Sequence, residues 1–391
     1  MEESYLQYVD DHLPELVALL QELIRIPTVN PPGNRYGEMV QRLEEECRSL
    51  SLATQVIPVP EAVVKRVCPE AADYPRWNLL ARWDVGAPRT LHVNAHYDVV
   101  PVSEESWEVD PFEGVVREGY LYGRGAGDMK GSIAAFFLAL RALRELGLSP
   151  RVNVEWSLTP DEETGGALGA GYLAETGQIR GDGALSLEGG SENSVGCGHN
   201  GVLWLHVTVQ GRAAHASRPH EGINALEKAI PLIRALQRLR DRFQSPERCY
   251  RTPSGAERYP TLNIGGVVFG SPGQKENTVP EAFTFSVDRR IPPNETVAEA
   301  EAELQAVIDA TAASVPDLKV STRPVLAIEP CAVDPQEPIA QSFARSVQRV
   351  RGALPGFSLT SGFTDLHYLL QGERRRPGIG LRGQGSKRPR R

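Results

Sequence analysis

The sequence predicts an α/β protein: an α/β/α sandwich around a mixed sheet, interrupted by an inserted ferredoxin-like α+β module. Three observations carry this. Apolar strand-like runs alternate with helix-patterned segments up to about residue 197, the signature of a sheet with helices on both faces. From about residue 198 the order changes to β-α-β-β-α-β, which reads as a ferredoxin-like unit. Four runs in the first part stop at polar clusters: HYD (96–98), GRGAGDMKG (123–131), DEETGG (161–166) and LEGG (187–190).

In order, residues 4–26 read as one amphipathic helix ended by Pro27, and 36–51 as a second. TLHVNAHYDVV (90–100) reads as a strand feeding a loop. Residues 131–147 read as a helix, RVNVEWSLT (151–159) as a strand and GALSLE (183–188) as another. GVLWLHVTVQG (201–211) alternates strictly, as a half-exposed strand does. A helix at 222–241, strands at 261–270 and 281–291, a helix at 295–313 and a strand at 318–325 complete the module. A helix at 337–352 and the segment 358–370 return to the main sheet. The expected domains are therefore 1–197, 198–326 and 327–391, the first and last forming one body.

The chain has 391 residues, which favours two domains, with an ordinary 41% apolar and 24% charged content. A net charge of −8 argues against a general nucleic-acid binder, which usually needs a basic face. Five scattered cysteines without a CxxC pair indicate neither a disulfide framework nor a thiolate zinc site. The acidic start MEESYLQYVDDHLPEL lacks the form of a signal peptide, and no apolar run reaches the ~18 residues of a membrane span. These features lead us to expect a cytoplasmic protein with no membrane contact.

The polar clusters carry the chemistry. In a strand, residues two apart share a face, so His96 and Asp98 can cooperate, the acid orienting a metal-ligating imidazole. Taken alone, a strand histidine is more often structural. Asp128 sits in a glycine-dense loop before a helix, where it can bridge two cations or simply cap the helix; the spacing fits neither a dinucleotide fingerprint nor a P-loop. In DEETGG, one carboxylate can bind metal while its neighbour takes a proton from metal-bound water. Read singly, DEETGG and Glu188 are solvated acidic turns. Together they supply histidine and carboxylate ligands without thiolate, which suits catalytic zinc, with cobalt or manganese as substitutes.

HYDVVP, GRGAGDMKG and DEETGG make the chain resemble the zinc-dependent aminoacylase and carboxypeptidase family that includes acetylornithine deacetylase and succinyl-diaminopimelate desuccinylase, over nearly its whole length. The resemblance implies a catalytic domain with an inserted lid domain that forms a homodimer. It implies that His96, Asp128 and Glu188 hold one metal, that Asp128 bridges to a second bound also by Glu163, that Asp98 orients His96, and that Glu162 is the general base. In GRAAHAS (211–217), His215 would reach the partner subunit's site. Asn277 of KENTVP and Arg290 of VDRR would hold the substrate, Arg290 through its carboxylate. Gly362 of SGFTD would offer its backbone N–H. Glu rather than Asp at position 188 tilts the expected reaction toward N-acyl-amino-acid deacylation, ahead of dipeptidase or carboxypeptidase activity; a non-catalytic binding protein is the alternative of another class.

One family feature has no counterpart. The last metal ligand is a histidine near the C-terminus, yet no histidine follows His367, which lies too close to SGFTD to serve. The chain instead ends ERRRPGIGLRGQGSKRPRR, and the family's closing strand and helix are not recognisable there. This tail is either a basic extension that meets something acidic or the product of a reading frame altered near Gly380. Either way the second metal is expected to bind weakly.

Overall fold

The computed structural model describes residues 2–103, 107–188, 191, 193–370 and 378–380. They divide into two compact units: the described residues of Met1–Gly198, Val333–Thr360 and Thr364–Arg391, and those of His199–Ala332 with Ser361–Phe363.

The first unit is built on a mixed sheet. At its centre Thr90–His96 lies parallel to Asn153–Thr159 on one side and to Gly183–Ser186 on the other. Trp77–Trp83 pairs antiparallel with the outer side of Asn153–Thr159, and Ala53–Pro58 with Trp77–Trp83. Alternation decides what each face carries. Val93, Ala95, Trp156, Leu158 and Leu185 enter the main hydrophobic core. There Trp156 is clasped edge-on by Phe136 and Phe137 of the helix Lys130–Glu145, with centroids 4.7 and 4.6 Å apart. The opposite face holds His92, Asn94, His96, Glu155, Ser157 and Thr159, all buried. Buried polar groups need partners, and these pair across the strands: His92 with Glu155 at 2.9 Å and with Ser157 at 2.9 Å, and Asn94 with Ser157 and Thr159 at 3.1 and 3.2 Å. Because the three central strands are parallel, their carboxyl ends lie along one edge, the usual place for a site in such sheets.

Several elements differ from the sequence reading. The first helix is two, Glu2–Asp11 and Leu13–Arg25, broken at His12 where Pro14 opens the second. The strands Ala53–Pro58, Trp77–Trp83 and Ser194–His199 were not expected. A closing strand does exist: Gly378–Gly380 pairs parallel with Gly183–Ser186 and touches Ser194–His199 at Gly196. Two of its three residues are glycine, so no alternating pattern announces it in the sequence. The rest of the basic tail, 371–377 and 381–391, lies outside the described residues.

The second unit is an antiparallel four-stranded sheet in the spatial order Thr261–Gly270, Ala282–Ile291, Gly201–Gln210, Lys319–Ile328, the ferredoxin-like arrangement. Leu203, Leu205, Val207 and Val209 meet the helices Ala225–Asp241 and Val297–Ser314 in its own core. Both helices start on well-formed caps: Asn224 accepts from Leu226 and Glu227 N–H groups, and Thr296 with Glu299 makes a reciprocal capping box. Within the first unit the segments flanking this insertion meet, Val333 N–H donating to Cys197 O at 2.8 Å.

Candidate metal centre

His96 ends the central strand and is 1% exposed. Its Nδ1–H donates to the Asp98 carbonyl at 3.1 Å and lies 3.3 Å from Asp98 Oδ1. That contact aims Nε2 into a cluster of carboxylates: 3.1 Å from Asp128 Oδ1, 3.8 Å from Glu162 Oε2 and 3.9 Å from Glu188 Oε2. His96, Glu162 and Glu188 each offer a ligand atom within 4.8 Å of the other two. The arrangement is that of a metal-ligating histidine whose other nitrogen is fixed by its neighbour.

Each carboxylate arrives by its own route. Asp128 is not the helix cap: Lys130–Glu145 has Met129 at its N-cap position and no side-chain cap. The loop needs its glycines, since a Cβ at Gly125 (φ +86°) would sit 2.7 Å from Val99 Cγ1 and one at Gly131 2.2 Å from Ala126 O. Glu162 and Glu163 ride on a single 3-10 turn, Glu162–Thr164, directly after the strand Asn153–Thr159. Asp98, fully buried, holds that turn by accepting the Glu162 N–H at Oδ1 (3.1 Å) and the Glu163 N–H at Oδ2 (3.2 Å). Glu188 follows the strand Gly183–Ser186, its N–H donating to Ser186 Oγ at 3.3 Å.

The electrostatics follow from this crowding. Burial, then the Glu188 charge, push Glu162 well above the usual carboxylate range, and burial does the same to Glu188. Burial raises Glu163 to about 7 against the opposing pull of His96. Burial disfavours a charged His96, yet Asp128 and Asp98 hold its pKa well above the ordinary histidine value. Among the described residues no arginine or lysine pairs with Glu162, Glu163 or Glu188, and Glu162 Oε1 is buried without a hydrogen-bond partner. A divalent cation fits this donor set: it supplies positive charge among these carboxylates and uses the oxygen and nitrogen donors present.

Two residues here were not anticipated. Asp365, the last residue of SGFTD, is buried; it accepts from Thr159 Oγ1 at 3.3 Å, and burial raises it to about 7. Its Oδ1 lies over the turn that carries Glu162 and Glu163 so closely that a Cβ on Gly166 (φ +69°) would fall 2.1 Å away. Lys130, fully buried, donates to Leu23 O and Ile26 O at 2.9 and 2.8 Å, tying the helix after Asp128 to the end of Leu13–Arg25; burial lowers it to about 7. The five cysteines are free, and burial pushes Cys47, Cys197 and Cys331 up to about 12.

The remaining expected residues lie in the second unit. His215 sits on the short strand Ala214–His215, paired with Thr278–Val279, and Ala216 N–H donates to Asn277 O at 2.8 Å, so GRAAHAS and KENTVP meet. His215 is exposed and its Nδ1 lies 2.8 Å from Ser217 Oγ. Arg290 pairs with Asp288: its Nη2–H donates to Oδ2 at 3.1 Å and its Nε lies 2.9 Å from Oδ1, with the guanidinium 6.0 Å from the Trp204 ring centroid. Gly362 also groups with this unit.

A mixed α/β body with an inserted ferredoxin-like unit, and a histidine-carboxylate cluster at the carboxyl edge of its sheet, define a class of hydrolase folds. The chain belongs to peptidase family M20/M25/M40, whose family model matches residues 92–388. It is 33% identical over 258 residues to an acetylornithine deacetylase from Proteus mirabilis, a match covering 65% of this chain and 62% of that protein's length. It is 30% identical over 298 residues to aminoacylase-1 from Sus scrofa, covering 74% of this chain and 68% of the relative. Among solved structures, an M20 family metallo-carboxypeptidase from Sulfolobus solfataricus shares the fold at a TM-score of 0.74 and 18% identity, over 94% of this chain and 91% of that one. No helix among the described residues is long and apolar enough to cross a membrane.

Proposed function

We propose that the protein hydrolyses the amide bond of an N-acyl-amino acid, with Glu162 as general base. The observation that carries this is the buried, unpartnered Glu162 Oε1 beside a histidine-carboxylate cluster on a sheet edge. The cation would be held by His96, Asp128 and Glu188, with Asp128 and Glu163 offering a second position. Zinc suits these donors, and cobalt or manganese can replace it. When bound, such an ion polarises the substrate carbonyl and makes a water acidic near neutral pH.

The residues do the rest. Asp98 keeps His96 in the orientation that faces Nε2 to the cluster. Glu162 takes the proton of the attacking water and delivers it to the leaving amine, a role suited to a carboxylate raised toward neutral pH. Arg290 receives the substrate carboxylate on the guanidinium N–H groups that Asp288 leaves open, Asp288 fixing its orientation, and Asn277 offers its side-chain amide to the same substrate. His215 and the Gly362 N–H steady the oxyanion, His215 coming from the partner in a homodimer formed through the second unit, which acts as the lid. The relatives named as a deacetylase and an aminoacylase favour acyl-amino acids as substrates. A dipeptide or carboxypeptidase substrate is the second reading, because a free carboxylate on Arg290 suits a peptide C-terminus equally. The test is release of amine from a panel of N-acetyl-amino acids alongside dipeptides, with metal content measured on the same preparation. Faster turnover of dipeptides would replace the first reading by the second; no turnover of either by metal-loaded protein would favour a binding protein.

A further inference from the structure

We propose that Asp161 is a positioning residue for the Glu162–Glu163 pair, anchored from behind by Arg76 and cross-tied to Asp98 through Asn30. The proposal rests on the reading of Glu162 and Glu163 given above. Asp161 opens DEETGG yet turns away from the ligand cluster. Its backbone is left-handed (φ +65°), an uncommon conformation for a residue with a side chain. Its carbonyl closes the turn, accepting from Gly166 N–H at 2.7 Å and Thr164 N–H at 3.2 Å. In that conformation the next two N–H groups both point at Asp98.

The Asp161 carboxylate fixes the turn from the other side. It accepts from Arg76 Nε at 2.7 Å, Tyr36 Oη at 2.8 Å and Asn30 Nδ2 at 3.1 Å. Arg76 cannot yield. It is fully buried, and its Nη1 and Nη2 donate to Tyr74 O at 2.5 Å and Pro32 O at 2.8 Å. Gly33 (φ +104°) packs so tightly on the guanidinium that a Cβ there would lie 2.6 Å from Nη1. Asn30 closes the circuit, its Nδ2 lying 3.0 Å from Asp98 Oδ2 and 2.9 Å from Thr164 Oγ1 as well. The base-bearing turn is thus gripped between two carboxylates, and one amide spans both.

A buried ion pair that served stability alone would leave the direction of Glu162 and Glu163 untouched when its cross-tie is cut. The experiment cuts that tie in the full-length protein. Asn30→Ala removes the link to Asp98 while leaving the Arg76–Asp161 pair in place. Thermal melting, Co2+ titration followed by visible absorption, and kcat and KM on the N-acetyl-amino acid that the parent cleaves fastest are then measured together. The expected result is Co2+ affinity lowered about 10- to 100-fold with an altered d–d spectrum, and a fall in kcat with KM nearly constant. A lower melting temperature with parental Co2+ affinity, spectrum and kcat would overturn the proposal. Should Asn30→Ala not fold, Tyr36→Phe deletes one contact to Asp161 and is read in the same way; parental Co2+ affinity and kcat again overturn it. Glu162→Gln separates the two readings. If it keeps full turnover, the base assignment fails while the Co2+ arm still judges Asp161. If it abolishes turnover and Asn30→Ala changes neither metal nor rate, only the Asp161 proposal fails.

Discussion

Asp98 holds Glu162 by the backbone: its Oδ1 accepts the Glu162 N–H at 3.1 Å, while its own carbonyl accepts His96 Nδ1–H at the same distance. One residue therefore sets the direction of both the proposed imidazole ligand and the proposed base. Asp98→Asn should disturb both, because the amide NH2 must confront one of the two N–H donors of the turn. We expect metal affinity and kcat each to fall by about 10- to 100-fold, measured by metal titration and steady-state kinetics. Parental values for both would show that Asp98 only packs beneath the strand end.

The metal-free protein should lose stability as pH rises. Burial raises Glu163 and Asp365 to about 7. A carboxyl group raised on folding contributes stability that is full below its unfolded value and lost as pH passes through its folded value. The window is therefore from about pH 4 to about pH 7. Glu155, lowered to about 2 with His92 among its partners, acts in the opposite sense but only at more acid pH. Melting curves with chelator should show the midpoint falling across this window, and added zinc should restore more stability at pH 7.5 than at pH 5. A flat profile, or a zinc effect independent of pH, contradicts the proposed ligand set.

The metal stoichiometry should be uneven. In the proposed assignment the first position would have three protein donors, His96, Asp128 and Glu188, whereas the second would have Asp128 and Glu163. Equilibrium dialysis should find one tightly held zinc ion per chain and a second that dialyses away. Two ions retained equally would mean that a further donor completes the second position.

Substrate carboxylate recognition should depend on Arg290 and on the Asp288 that orients it. Arg290→Met removes a charge-assisted fork and should raise KM about 10- to 100-fold, from about 1.5–3 kcal/mol of lost interaction. Asp288→Asn keeps the guanidinium but weakens the pairing that anchors it, so a smaller rise is expected. Steady-state kinetics on substrates with free and amidated carboxyl groups check this; an equal effect of Arg290→Met on both kinds would exclude carboxylate recognition.

Much of the fold and of the cluster is legible in the sequence. The second unit reads clearly because its strands are half exposed: Gly201–Gln210 alternates buried and accessible residues as its sequence does. The strand Trp77–Trp83 does not, since WNLLARW is buried on both faces and carries no alternation. The cluster residues His96, Asp128, Glu162 and Glu188 are visible as polar stops on apolar runs, and the structure brings them together. The support beneath them is not. Arg76 lies in a loop with its partner Asp161 far along the chain, and Asp365 looks like any loop acid until Gly166 is found packed against it. Periodicity reports faces of elements; it carries nothing about which two distant loops will close on each other.

The most direct test of the account compares Glu162→Gln with the parent chain, both loaded with zinc, for amine release from the N-acetyl-amino acid panel. Glu162→Gln should bind zinc as the parent does and lose about 10²- to 10⁴-fold in kcat, the share of a positioned general base. Turnover within a few-fold of the parent, at equal zinc content, would contradict the claim that Glu162 moves the proton.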